Sequence, residues 1–105
     1  MNANELTGWR LRLAAAHASG CVDYLTFNPV ALFVRVTRVM ERMEEGRFRV
    51  YIKTGRKSAG QTEYVAGVAD CPFAACMRAV INRRHVLASN SSPVDTLPQA
   101  PNRGE

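Results

Sequence analysis

Short sequence patterns that encode chemistry are missing from this chain. It has no GxSxG, no HExxH, no GxGxxG and no GxxxxGK[ST], so serine-hydrolase, zinc-hydrolase, dinucleotide and phosphate-loop readings have nothing to rest on. Apolar runs are broken by Arg, Asp or Asn well short of the roughly 20 residues that cross a bilayer, and no membrane contact is expected. The opening MNANELTGWRLRL has no basic segment leading into an apolar one; no secretory leader is expected, and the cytosol is the expected compartment. Cysteine is scarce and odd in number. Cys21, Cys71 and Cys76 do not suit a disulfide framework, so reduced, partly buried thiols are expected. Acids are scarce too: nine stand against fourteen Lys and Arg, a formal net charge of +5. Asp23, Glu41, Glu44, Glu45 and Glu63 offer no spacing for a catalytic carboxylate pair, no catalytic residue is assigned, and a non-enzymatic protein is expected.

What is present fits one domain. A chain of 105 residues with 47% hydrophobic and 22% charged residues has enough apolar side chain for a single core. Residues 3 to 19 predict a helix with Leu6, Trp9, Leu13 and Ala16 as its apolar stripe, Asn2 or Asn4 as cap, Glu5 in the first turn and Gly20 after the end. CVDYLTFNPV reads as a connector with a turn at Asn28-Pro29. ALFVRVTRVMERM predicts a strand, with Leu32, Val34 and Val36 on one face and Phe33, Arg35 and Thr37 on the other, and a bulge near Thr37-Arg38. A helix over Val39 to Glu45 is the alternative there. Gly46 is the residue suited to positive φ in the following turn. GRFRVYIKT alternates strictly and predicts the returning strand, with Phe48, Val50, Ile52 and Thr54 inward. GRKSAG reads as a polar, mobile hairpin tip and QTEYVAGVA as a third strand. DCPFAACMRAVINRRHVLAS predicts a helix capped by Asp70, with Pro72 in the first turn and Phe73, Cys76, Met77, Val80 and Ile81 toward the core. From Ser89 on, Pro, Ser and Asn dominate, which predicts a disordered tail. The expected architecture is α+β: a two-layer sandwich in α-β-β-β-α order, a three-stranded antiparallel meander with both helices on one face, with a domain over residues 1–88 and a tail over 89–105.

Charge is concentrated rather than spread. Between Arg35 and Lys57 lie eight basic residues and three acids, and twelve of the fourteen cations in the chain are Arg, the side chain suited to bidentate contact with phosphate or carboxylate. On the expected outward sheet face, Arg35, Arg47, Arg49, Tyr51 and Lys53, joined by Arg56 and Lys57, combine cations with an aromatic ring, the two components of a nucleic-acid platform. Arg78, Arg83 and Arg84 form a secondary patch. The same charges also suit a solvated sheet face that resists aggregation. His17 and Cys21 (H-x3-C) with Cys71 and Cys76 (C-x4-C) let a Cys3His zinc site be written down, but five helical residues turn through about 500°, leaving the last two thiols about 140° apart. No metal and no cofactor is expected. Cys71, in a first helical turn, has the position of a reactive thiol, yet a base would have to come from His17, since His85 lies about four turns away on the same helix.

The α-β-β-β-α order resembles that of double-stranded-RNA-binding domains, although their second helix opens with a lysine-rich phosphate clamp where this chain has DCPFAAC. The junction YVAGVADCPFAACMRAV is similar to the strand-then-helix ending of HicB-like antitoxin domains and of many small phage proteins; it spans about a fifth of the chain, and no family is assigned. The leading expectation is a small basic module that binds nucleic acid or a nucleoprotein. The alternative is a protein inhibitor or adaptor of a phage or mobile element, directed against a defence complex in the manner of an anti-CRISPR or acting as an antitoxin, with the arginines meeting an acidic protein surface. A sheet edge would also permit a homodimer.

Overall fold

Strict alternation makes the middle strand. Val50 and Ile52 are fully buried, and their strand pairs on both sides: Val50 opposes Met40 and Gly67, while Ile52 opposes Thr37 and Val65. The computed structural model describes residues 7–21 and 23–89. They form α1 (Gly8–Ala18), α2 (Pro29–Val36), β1 (Thr37–Arg42), β2 (Phe48–Ser58), β3 (Gln61–Ala69) and α3 (Pro72–Ser89), with the strands antiparallel in the order β1-β2-β3. The α+β class and the meander stand as expected. Ser89, expected to open the tail, is the last residue of α3; the rest of the expected tail, the expected caps Asn2 and Asn4, the expected first-turn residue Glu5, and Leu6 lie outside the described residues.

The layering differs from the expectation. The described residues form three α-helices, and α3 is the one that lies along β2 and β3, with α1 and α2 packed against α3. Contact with a sheet and two helices explains why α3 buries residues on several sides, at Ala75, Cys76, Met77, Ala79, Val80, Ile81 and Val86, while its last turns, at Arg84, His85 and Leu87 to Ser89, are exposed. Gly67 sets the helix-to-sheet distance, because a Cβ there would overlap the backbone of Ala75 and Ala79. Only glycine allows this approach. Cys71, not Asp70, precedes the first residue of the helix: Pro72 is N1, and the Cys71 carbonyl accepts the first helical bond from Ala75 N at 2.9 Å.

The largest correction concerns ALFVRV, which is helical. Asn28 decides it: its Oδ1 accepts from Val30 N at 2.9 Å and Ala31 N at 3.2 Å, and Pro29 supplies a preset φ at the first position. The helix buries Leu32 and sets Phe33 edge-on to Phe73 of α3, centroids 5.1 Å apart. The strand begins only at Thr37, and Val39 to Arg42 are strand. The expected bulge is present, as a register shift between Thr37 and Val39, and it turns Thr37 toward α3, where its hydroxyl donates to Cys76 Sγ at 3.6 Å.

The α1 stripe is also rotated. Leu11, Ala15 and Ala16 are buried, whereas Trp9 is 62% and Leu13 36% exposed. Alanine lets α1 approach α3 closely, and a tryptophan ring would hold the helices apart. At the other end, GRKSAG is no loose loop. β2 continues to Ser58, and the turn is only Ala59-Gly60, both at positive φ (53° and 81°), the conformation of a two-residue hairpin.

Candidate functional site: a cationic corner and an apolar groove

On the sheet face away from α3, the residues in register are Val39 and Glu41 of β1, Arg49, Tyr51 and Lys53 of β2, and Tyr64, Ala66 and Val68 of β3. Expected there was an open ring flanked by free cations. Instead Tyr51 is only 4% exposed and Ala66 8%. Arg49 makes long contacts to Glu41 Oε1 (3.4 Å) and to the Tyr51 hydroxyl (3.5 Å). The tyrosine thus has no face to offer a base, and Arg49 is engaged with a carboxylate. Arg35 leaves this surface altogether, since it belongs to α2.

Arg56 has a structural task as well. Between the pairs Lys53–Tyr64 and Lys57–Thr62, three β2 residues face the single residue Glu63, and Gly55 takes φ 96° to make that bulge. Glu63 is buried, and its Oε1 accepts from Thr54 Oγ1 and from Arg56 Nε, each at 2.9 Å. A buried carboxylate is tolerable only with such partners.

The secondary patch is dispersed over three tasks. Arg78 Nη1 donates to the Val68 carbonyl at 2.7 Å, and Asn82, one turn later, donates to the Ala66 carbonyl at 2.9 Å, so α3 occupies carbonyls along β3. Arg84 Nη1 donates to the His17 carbonyl at 3.0 Å and ties α3 to α1. Arg83 Nη1 reaches the Lys53 carbonyl at 3.3 Å, just beyond the point where β1 begins.

Two groupings of the expected residues do form. Arg47 and Arg78 line one cavity of about 420 Å³ together with Asp70. At the opposite corner, Arg35 of α2 and Arg83 of α3 come close enough for their charges to oppose each other, beside the Lys53 carbonyl. Burial, reinforced by Arg35 and offset by Cys76, holds the Arg83 guanidinium below its ordinary pKa. Among the described residues, Arg35 and Arg83 have no carboxylate within ion-pair range. Between these helices Cys76 is fully buried, and that burial pushes its thiol pKa up, while the Thr37 hydroxyl and the two arginines pull it back. Arg47, Lys53 and Lys57 are exposed.

One feature escaped the reading of the sequence. The rotated α1 leaves Trp9 and Leu13 beside Ile81, His85 and Ala88 of α3, and between the two helices lies a groove of about 800 Å³. Trp9 and Leu13 are one turn apart, as are Ile81 and His85, and this spacing on two helices is the clue the sequence offered; assigning Trp9 and Leu13 to the core concealed it. No three His, Cys, Asp or Glu side chains converge as a metal site among the described residues, and no described helix is long and apolar enough to cross a membrane. The chain matches no family model, no curated protein and no solved structure.

Proposed function

We propose that the chain is a small cytosolic binding module without catalysis, and that it engages nucleic acid at the corner where Arg35 and Arg83 lie on the helix side of the sheet and the Lys53 side chain on the other side of the same edge. The observation that carries this reading is the Arg35–Arg83 pair. Two guanidinium groups from different helices lie near enough for their charges to interact, one of them half-buried, with no carboxylate of the described residues in ion-pair range of either. Like charges in that setting repel, and successive phosphates would supply the missing countercharge. Arginine also suits the role because its planar fork meets phosphate oxygens in pairs. Lys53 is exposed on the adjoining strand, and Arg38, at the β1 bulge, is exposed too.

Binding of labelled random duplex DNA, single-stranded DNA and RNA, measured by anisotropy at about 50 and 200 mM salt, tests this directly. Affinity should fall steeply, with a log–log slope of about −2 to −3 if three phosphates are neutralised. Arg35→Glu combined with Lys53→Glu should lower affinity at least about 10-fold for all sequences alike. Glu at position 35 would relieve the repulsion on Arg83, so lost binding would not reflect a weakened fold. If none of the three nucleic acids binds at the lower salt, or the double variant binds as tightly as the parent, the reading is wrong.

A further inference from the structure

We infer that the groove between α1 and α3 is a docking site for an acidic amphipathic helix of a partner protein. This does not rest on the nucleic-acid reading, which concerns a different corner of the molecule.

Shape is the first argument. The walls are two helices, one presenting Trp9 and Leu13 and the other Ile81, His85 and Ala88. The α1 side, from Trp9 to Ala18, is about 14 Å long at the helical rise, the span of two to three turns of a third helix. Such a helix inserts apolar residues at i, i+4 and i+7. Ala14, Ala18 and Ala88 are small, and they leave the volume of about 800 Å³ to side chains from outside.

Exposure is the second argument. Trp9, the only tryptophan of the chain, is 62% exposed at the lip of this groove. A large aromatic ring is costly to leave in water and is the residue type most often found as an interface anchor.

Charge chooses the partner. Arg10 and Arg84 stand on the rim with His17 and His85, and among the described residues no acid lines the groove. Arg10 is poised over the Trp9 ring, 5.5 Å from its centroid, and Arg84 is fixed by its bond to the His17 carbonyl. An apolar floor with cations at both walls is complementary to a helix that carries large aliphatic residues on one face and Asp or Glu on both flanks.

The test uses a synthetic helical peptide of about 14 residues with Leu on one face and Glu on both flanks. Its comparison is the same peptide with Lys in place of Glu. The acidic peptide should shift Trp9 emission to the blue and bind at least about 10-fold tighter than the Lys version. Leu13→Asp should weaken it at least about 10-fold. Leu13 is 36% exposed, so the fold should tolerate the change; Trp9→Ser, read by anisotropy of a labelled peptide, is a second variant with the same expectation. The Arg35→Glu, Lys53→Glu variant should bind the peptide normally, and Leu13→Asp should leave nucleic-acid affinity unchanged, which separates failure of this inference from failure of the other. Equal binding of the Lys peptide, or Trp9 emission that stays unchanged at saturating acidic peptide, would overturn the inference. So would an oligonucleotide that displaces the peptide, or a homodimer dispersed by Leu13→Asp, because the occupant would then be nucleic acid or a second copy.

Discussion

Gly67 and Val50 face α3 from adjacent strands, and at Gly67 the helix backbone lies against the sheet. A Cβ built there would stand 2.9 Å from the Arg78 carbonyl carbon and overlap Ala75 O and Ala79 N. Backbone cannot rotate away as a side chain can, so Gly67→Ala must lift α3 from β3 or bend the strand. We expect a loss of at least about 3 kcal/mol in urea unfolding; a loss below about 1 kcal/mol would mean that the helix rides higher than described. In the native protein a thiol-reactive aromatic disulfide should modify Cys21 and Cys71, which are half-buried, and reach Cys76 only on unfolding. Burial raises the Cys76 pKa in the folded state. Its contribution is therefore complete below the unfolded thiol pKa and is lost as pH rises through the folded value. Stability should decline in mild alkali, and Cys76→Ala should remove that part of the decline while itself costing about 1 to 2 kcal/mol of packing at neutral pH. An identical alkaline decline in parent and variant would show that the thiol is not its source.

Among the elements, β3 depends most on side chains from elsewhere. An edge strand exposes main-chain groups that invite pairing with another copy. Here Arg78 and Asn82, one turn apart on α3, meet the carbonyls of Val68 and Ala66, two residues apart on β3. The helical and strand repeats match closely enough for the two bonds to form together. Replacing both Arg78 and Asn82 by Ala should cost about 2 to 3 kcal/mol and produce concentration-dependent association measurable by sedimentation; a variant that stays monomeric at high concentration would mean that the edge is guarded by something else. β2 was legible because Phe48, Val50 and Ile52 all turn to one covered face, so period and burial agree. α2 was not, because Leu32, Val34 and Val36 alternate like a strand. Its helicity comes from a cap at Asn28 and from packing against Phe73, a contact distant in sequence. Arg35 was misplaced by the same error. Tyr51 was misjudged for a different reason: a middle strand has neighbours on both sides, and cross-strand packing can bury an alternate residue without a helix over it. Only the spatial grouping of Arg35 with Arg83 lay wholly beyond the sequence, since it needs α2 to be a helix and α3 to bring Arg83 beside it.

Over the whole molecule, many cations serve the fold before they serve any ligand. Arg56 answers Glu63, Arg49 faces Glu41, and Arg78, Arg83 and Arg84 hold carbonyls of β3, β2 and α1. A net charge of +5 therefore overstates the freely presented charge, and the corner at Arg35 matters because it departs from this pattern. The three carbonyl contacts also make α3 the common support of the sheet and of α1. If so, α1 should not come away by itself. Ala15 and Ala16 are at most 1% exposed, while Trp9, in the same helix, lies beside α3 in the groove and reports on the docking of α1. Trp9 emission and far-UV circular dichroism should lose their native signals at the same urea concentration, as a single cooperative unit requires. Ala15→Leu would force the helices apart and should shift both probes together by about 1 to 3 kcal/mol. Should Trp9 emission change at lower urea than the dichroism, in the parent or in Ala15→Leu, then α1 is a separately opening element, and the groove it forms with α3 would be only as stable as that docking.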